Sequence, residues 1–295
     1  MSRRSGSLLA KVTHILPFSC VDGPGNRLVI FLQGCNYQCL NCHNPHTINH
    51  CNHCGECVSE CSAGALKFDE NNNVVWLKEE CTHCDHCIEI CQNQSNPKIT
   101  DYSVVTMLDL IRKHRFFISG VTVSGGESTL QLPFIIELFK GIKQDPELRH
   151  LSCFIDSNGS LAVAGWQRIL PFLDGAMIDL KAWQTETHQW LTGRDNHRVF
   201  KTLHYLAEHE KLYEVRLLHI PPQKSDLDIE IVAIGRYLST LPESVLIRLN
   251  AFQHHGVMGG EALTWDMCSH HDIERLKSEL RCYVSNPITV PTVLT

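Results

Sequence analysis

The chain has 295 residues, with 26 Lys and Arg against 32 Asp and Glu, and a formal charge of −6. A chain of this length buries a core without covalent staples, so its 15 cysteines are not the disulfide framework that a short secreted chain needs. The acidic balance argues against a nucleic-acid partner, and no apolar run reaches the roughly 18 residues of a membrane span.

Near the start, Arg3-Arg4 is followed by Lys11 and His14 rather than by an apolar stretch. No export signal is therefore expected, and the chain is read as cytoplasmic with reduced thiols. Residues 27–33 form an apolar run of strand length that ends at Cys35-x3-Cys39-x2-Cys42. Residues 47–98 carry two cysteine runs and little else, and are expected to be an insertion into a domain formed by residues 1–46 and 99–295. Beyond it, strands are predicted over 120–123, 151–155, 175–180, 214–220 and 245–249. Helical periodicity marks 130–143, 162–171, 185–191, 198–210, 227–240 and 271–281 between and after them. Strands alternating with crossover helices imply an α/β fold, a partial parallel (β/α)6 barrel carrying an inserted ferredoxin-like di-cluster domain. The predicted strand ends carry Ser124-Gly125-Gly126-Glu127, Asp156-Ser157-Asn158-Gly159, Asp179-Leu180-Lys181, His219-Ile220-Pro221-Pro222 and Asn250 to Gly256, an active-site rim in such folds. Residues 257–295 are read as a lid or docking segment.

Eleven of the 15 cysteines lie between positions 35 and 91. Cys51-x2-Cys54-x2-Cys57-x3-Cys61 recurs as Cys81-x2-Cys84-x2-Cys87-x3-Cys91, the bacterial ferredoxin spacing, in which the fourth cysteine of each run ligates the other cluster. One [4Fe–4S] cluster is thereby assigned to Cys51, Cys54, Cys57 and Cys91, and another to Cys81, Cys84, Cys87 and Cys61. Ser62 and Gln92 replace the proline that usually follows the fourth cysteine. Structural zinc is the competing reading, with His50, His53, His83 and His86 available, but it does not call for two runs of this form. Cys35, Cys39 and Cys42 have no matching fourth cysteine. Three thiolates on a third four-iron cube leave one iron open, as catalytic metal centres do.

Asp22-Gly23-Pro24-Gly25-Asn26-Arg27, Phe31-Leu32-Gln33-Gly34-Cys35 and Cys42-His43-Asn44-Pro45 resemble the glycyl-radical-enzyme activases of the radical S-adenosylmethionine (SAM) superfamily, over about residues 15–256. The resemblance implies that the open iron chelates SAM, and that Gly125, Gly126 and Glu127 bind its methionine amino group. Asn41 and His43 would lie by the adenine, with Asp179, Lys181 and Arg216 lining the rest of the pocket. Gln253 or His254 would contact SAM from the last strand, where the family often has His at the position of Gln253, and His255 is the neighbouring alternative. Asp156 and Asp179 would frame a monovalent cation, and Asp22 would meet the substrate glycine segment. The implied activity is anaerobic: a low-potential donor such as flavodoxin supplies an electron, SAM is cleaved to methionine and a 5′-deoxyadenosyl radical, and that radical takes hydrogen from a glycine of a partner glycyl radical enzyme. The alternatives are a radical SAM reaction on a small molecule or nucleotide, and an electron carrier.

Overall fold

The computed structural model describes residues 8–221, 226–258 and 260–290. Residues 1–7, with Arg3-Arg4, together with 222–225, Gly259 and the chain end at 291–295 lie outside the described residues. The chain divides into two compact units, residues 1–36 with 44–152 and residues 37–43 with 153–295.

The first unit opens with β1 (Leu9–Ser19), which pairs antiparallel with β2 (Arg27–Leu32). The cysteine-run region follows, with α1 (Glu56–Ser59), the small antiparallel pair β3 (Leu66–Phe68) and β4 (Val74–Trp76), and α2 (His86–Glu89). Then come β5 (Thr100–Ser103), α3 (Val104–His114), β6 (Gly120–Gly125) and α4 (Leu132–Gln144). The main strands of this unit run in the order β6-β2-β1-β5, with β2 parallel to β6 and β1 antiparallel to both its neighbours. The sheet is therefore mixed, where a purely parallel one was expected. β1 escapes the sequence pattern because Pro17 and the polar Thr13 and His14 interrupt its apolar alternation.

The second unit contains β7 (Ser152–Ser157), α5 (Val163–Ile169), β8 (Gly175–Leu180), α6 (Thr185–Thr192), α7 (His197–Glu208), β9 (Leu212–His219), α8 (Ile231–Leu238), β10 (Leu246–Ala251), α9 (His270–Leu280) and β11 (Ile288–Thr289). Its strands follow chain order, β7-β8-β9-β10-β11, and pair in parallel. Ala176, Met177, Ile178, Val215, Ile247 and Leu249 are fully buried, the near-continuous apolar run expected of strands covered on both faces. Between them α5 to α9 supply crossovers, so this is a mixed α/β fold with parallel strands. The segment beyond 257 is not a free lid: α9 buries Ile273, Leu276 and Leu280, and β11 joins β10. No helix of the described residues is long and apolar enough to cross a membrane.

Candidate metal centre

In the first unit the chain leaves β2 and is fixed by backbone bonds from Gly34 N to Thr47 O and from Cys35 N to Ile48 O, both 2.9 Å. Gln33 braces the same turn. Its buried amide donates to His46 O (2.9 Å) and Asn49 O (2.6 Å) and accepts from Thr13 Oγ1 (2.6 Å). Gly126 N donates to Leu32 O, and Glu127 N to Gly34 O. A Cβ on Gly125 would meet Leu32 O at 2.2 Å, and one on Gly126 would meet Gly34 O at 2.4 Å. The two glycines thus lie flat on the strand end that carries Cys35, a reason for glycine additional to close approach of a ligand. Glu127 is buried, and its carboxylate accepts from Thr129 N at 3.1 Å.

Asp22 lies in the turn before β2, whereas Cys35 follows the far end of that strand. The Asp22 carboxylate accepts from Ser19 Oγ at 2.5 Å, and its carbonyl accepts from Thr122 Oγ1 at 2.6 Å. Next to it Arg27 is fully buried and spends its guanidinium on Thr122 Oγ1, Val121 O, Pro24 O and Ser152. A buried arginine in so polar a cradle holds the turn shut.

The two insert loops have the same conformation. His53 and His83 take positive φ, and their N–H groups donate to Cys51 Sγ (3.4 Å) and Cys81 Sγ (3.5 Å). Burial first, and then the neighbouring Cys51, Cys87 and Cys91, push the Cys57 thiol up to about 11. Cys51 is likewise raised by burial, with Cys91 and Cys54 acting on it. Cys61, Cys81, Cys84 and Cys87 line one pocket. The groups acting on Cys57 thus come from both expected sets, Cys51 and Cys91 from its own and Cys87 from the other. Among the described residues no three His, Cys, Asp or Glu side chains come close enough to share a single ion. Thiols crowded in this way gain from a bound metal cation, which relieves their mutual repulsion.

In the second unit the 37–43 loop is pinned to the end of α6 by Gln38 N to Thr192 O (3.0 Å) and Leu40 N to Leu191 O (2.9 Å). Tyr37 is buried edge-on to the His188 ring, 5.6 Å between centroids. His188 is itself buried, with Nδ1 2.7 Å from Arg194 O. Burial pushes the Cys39 thiol up to about 11, while Lys181 draws it down and Cys42 opposes that. Lys181 Nζ donates to Asp179 Oδ2 at 2.8 Å. Burial would lower this lysine, but Asp179 and the thiols of Cys39 and Cys42 hold it above the ordinary lysine range. Arg216 donates to Asp156 (2.9 Å) and Glu214 (2.6 Å).

Asp156 and Asp179, expected to frame a monovalent cation, pair with Arg216 and Lys181. The side chains of Gln253 and His254 meet Cys268 O (2.9 Å) and Trp265 O (2.8 Å). What bears on the cysteine loop is instead backbone: a Cβ on Gly256 would meet His43 O at 2.1 Å, and the His43 ring bonds to the Gln253 backbone. Burial lowers the His43 pKa, keeping the ring neutral. Asn41 is buried, and its Oδ1 has no hydrogen-bond partner. An orphaned acceptor beside Cys42 fits a ligand that brings its own donor, as an adenine amine does. Gln33 and Arg27 carry weight that the sequence hardly announces, because a polar residue at a strand end or turn reads as solvated.

Cysteine-rich loops set on a mixed α/β fold with parallel strands define an iron–sulfur protein. Residues 21–199, more than half the chain, match the family described as 4Fe-4S single cluster domain, and the protein belongs to that family. It is similar to the pyruvate formate-lyase-activating enzyme of Streptococcus mutans, 27% identical over 229 residues that cover 76% of this chain and 70% of that one. The enzyme of the same name from Listeria monocytogenes is 25% identical over 256 residues, covering 85% and 84%. The crystal structure of QueE from Escherichia coli shares the fold, with a TM-score of 0.51 at 16% identity over 99% of this chain and 100% of that one.

Proposed function

We propose that this protein is a radical SAM enzyme that activates a partner glycyl radical enzyme. The single observation that carries the reading is the Cys35, Cys39 and Cys42 loop: three thiols with no fourth, in a chain whose other eight clustered cysteines complete two sets of four. Similarity to activating enzymes over three quarters or more of the chain supports it. In this reading the parallel strands curve into a partial (β/α)6 barrel, and residues 47–98 are a di-cluster insert fed by a flavodoxin-like donor. Three [4Fe–4S] clusters are then bound in all.

When bound, the three-thiolate cluster and SAM supply a one-electron cleavage that ends in hydrogen removal from a glycine of the partner. The chain's own groups bind and orient. Lys181 and Asp179 present a fixed charge pair beside Cys39. Lys181 and Asp179 would meet the ligand's carboxylate and ribose, and Arg216, held by Asp156 and Glu214, fixes the wall of the same pocket. Asn41 offers its acceptor to the adenine amine, and His43 stays neutral beside it. Asp22, at the other end of β2 from Cys35, would hold a part of the partner's glycine segment away from the reacting hydrogen.

The test is anaerobic EPR of the reconstituted protein with a candidate glycyl radical enzyme, SAM and dithionite. A glycine-centred doublet on the partner supports the reading. SAM cleavage that proceeds without any such signal across the candidate partners contradicts it.

A further inference from the structure

The two halves of the insert superimpose at a fixed offset in sequence: Cys51 on Cys81, Cys54 on Cys84, Cys57 on Cys87 and Cys61 on Cys91. The same offset places Gly55 on Asp85 and Phe68 on Lys98. In space these substituted positions also correspond. Gly55 and Asp85 both adopt left-handed φ, 86° and 62°, at the start of α1 and α2. The Phe68 ring occupies the place where a Cβ on Gly55 would fall, 2.2 Å from it. In the second half Lys98 reaches the equivalent spot and its ammonium pairs with the Asp85 carboxylate. An aromatic ring over bare backbone in one loop is thus an ion pair in the other. Asp is among the few non-glycine residues that tolerate left-handed φ, so the substitution keeps the loop conformation while adding a charge.

The pair is lopsided. The Lys98 side chain is 9% exposed and that of Asp85 59%, so water screens the anion far more than the cation. Lys98 lines the pocket formed with Cys61, Cys81, Cys84 and Cys87. Charge near a cluster is one of the levers that set its reduction potential.

We propose that the buried Lys98 ammonium raises the reduction potential of the cluster bound by Cys61, Cys81, Cys84 and Cys87 above that of its sister bound by Cys51, Cys54, Cys57 and Cys91. The two sets are therefore not equivalent stations. An electron from an external one-electron donor comes to rest at the Lys98 site first. The exchange is one electron lost by the donor and one gained by the cluster, with no bond or proton moved. The inference rests on the di-cluster reading of residues 47–98, and iron content tests that reading separately from the potentials.

The experiment is a potentiometric titration of anaerobically reconstituted full-length protein, followed by EPR, for the wild type and for Lys98→Met, Lys98→Arg and Asp85→Asn. Signals that SAM perturbs are assigned to the three-cysteine site and set aside. Two insert midpoints are expected in the wild type. Lys98→Met shifts the higher one downward by about tenfold in the reduction equilibrium, about 59 mV for one electron. Lys98→Arg retains it, Asp85→Asn moves it upward, and the lower midpoint stays in place throughout. A merely structural role for the pair would not give opposite signs for its two members. Unmoved midpoints, equal movement of both, or a downward shift in Asp85→Asn overturns the proposal. Wild-type iron too low for two insert clusters overturns it together with the di-cluster reading. Should Lys98→Met fail to hold iron, the sign of the Asp85→Asn shift decides.

Discussion

Lys181 and Asp179 stand two residues apart at the end of β8, and their side chains meet at 2.8 Å within the electrostatic reach of Cys39 and Cys42. Alternation along an extended segment puts both on one face, so the chain sequence Asp-Leu-Lys builds a charge pair without help from another element. Losing the lysine leaves Asp179 and the thiols without their nearest cation. Lys181→Met is expected to cost about 3 kcal/mol of stability, at the lower end for a broken buried pair because each side chain keeps about a fifth of its exposure. SAM affinity falls with it, and Lys181→Arg restores part of both. Chemical denaturation and equilibrium SAM binding measure the two effects.

Gly126→Ala puts a methyl group against Gly34 O and Thr47 O, backbone atoms that cannot rotate away. Overpacking of this kind costs about 1–3 kcal/mol. Because the displaced atoms are those that fix Cys35, reconstituted protein should also lose iron selectively from the three-cysteine site. Iron analysis with the SAM-sensitive EPR signal reads this out.

Asn41→Ala should separate binding from folding. Its Oδ1 has no partner among the described residues, so removing it leaves apo stability almost unchanged. A hydrogen bond to bound SAM is lost, and affinity should fall about five- to tenfold. Equal SAM affinity in the variant and the wild type would remove Asn41 from the site.

Burial lowers the pKa of both His188 and His219. Their folded values lie below the ordinary 6.5, so below about pH 6.5 the unfolded chain binds more protons than the folded one. Stability should therefore be fully present above that pH and decline as the medium is acidified toward the folded values. Denaturant midpoints measured between pH 7.5 and 5.5 check this. His219→Asn should flatten the decline.

The sequence made the cysteine runs and the alternation of strands with helices legible, because ligand spacing and apolar periodicity are local. All the predicted strands from 27–33 to 245–249 appear, with ends shifted by a few residues. β1 was hidden because antiparallel pairing to an apolar neighbour tolerates Pro17 and scattered polar residues. The partners of Gln253 and His254 were equally hidden, since a bond to Cys268 or Trp265 depends on how residues 261–268 fold back. Arg27 and Gln33 read as polar punctuation until their buried acceptors are seen. The correspondence of Phe68 with Lys98 needed both the repeat and the coordinates.

The central claim is that hydrogen passes from a partner's glycine to the adenosyl group of SAM. Its most direct measurement is mass spectrometry of the 5′-deoxyadenosine released when the reconstituted protein acts on a glycyl radical enzyme labelled with α-deuterated glycine. Deuterium carried into the 5′-deoxyadenosine is the predicted result. Unlabelled 5′-deoxyadenosine, formed equally with and without the partner, would contradict it.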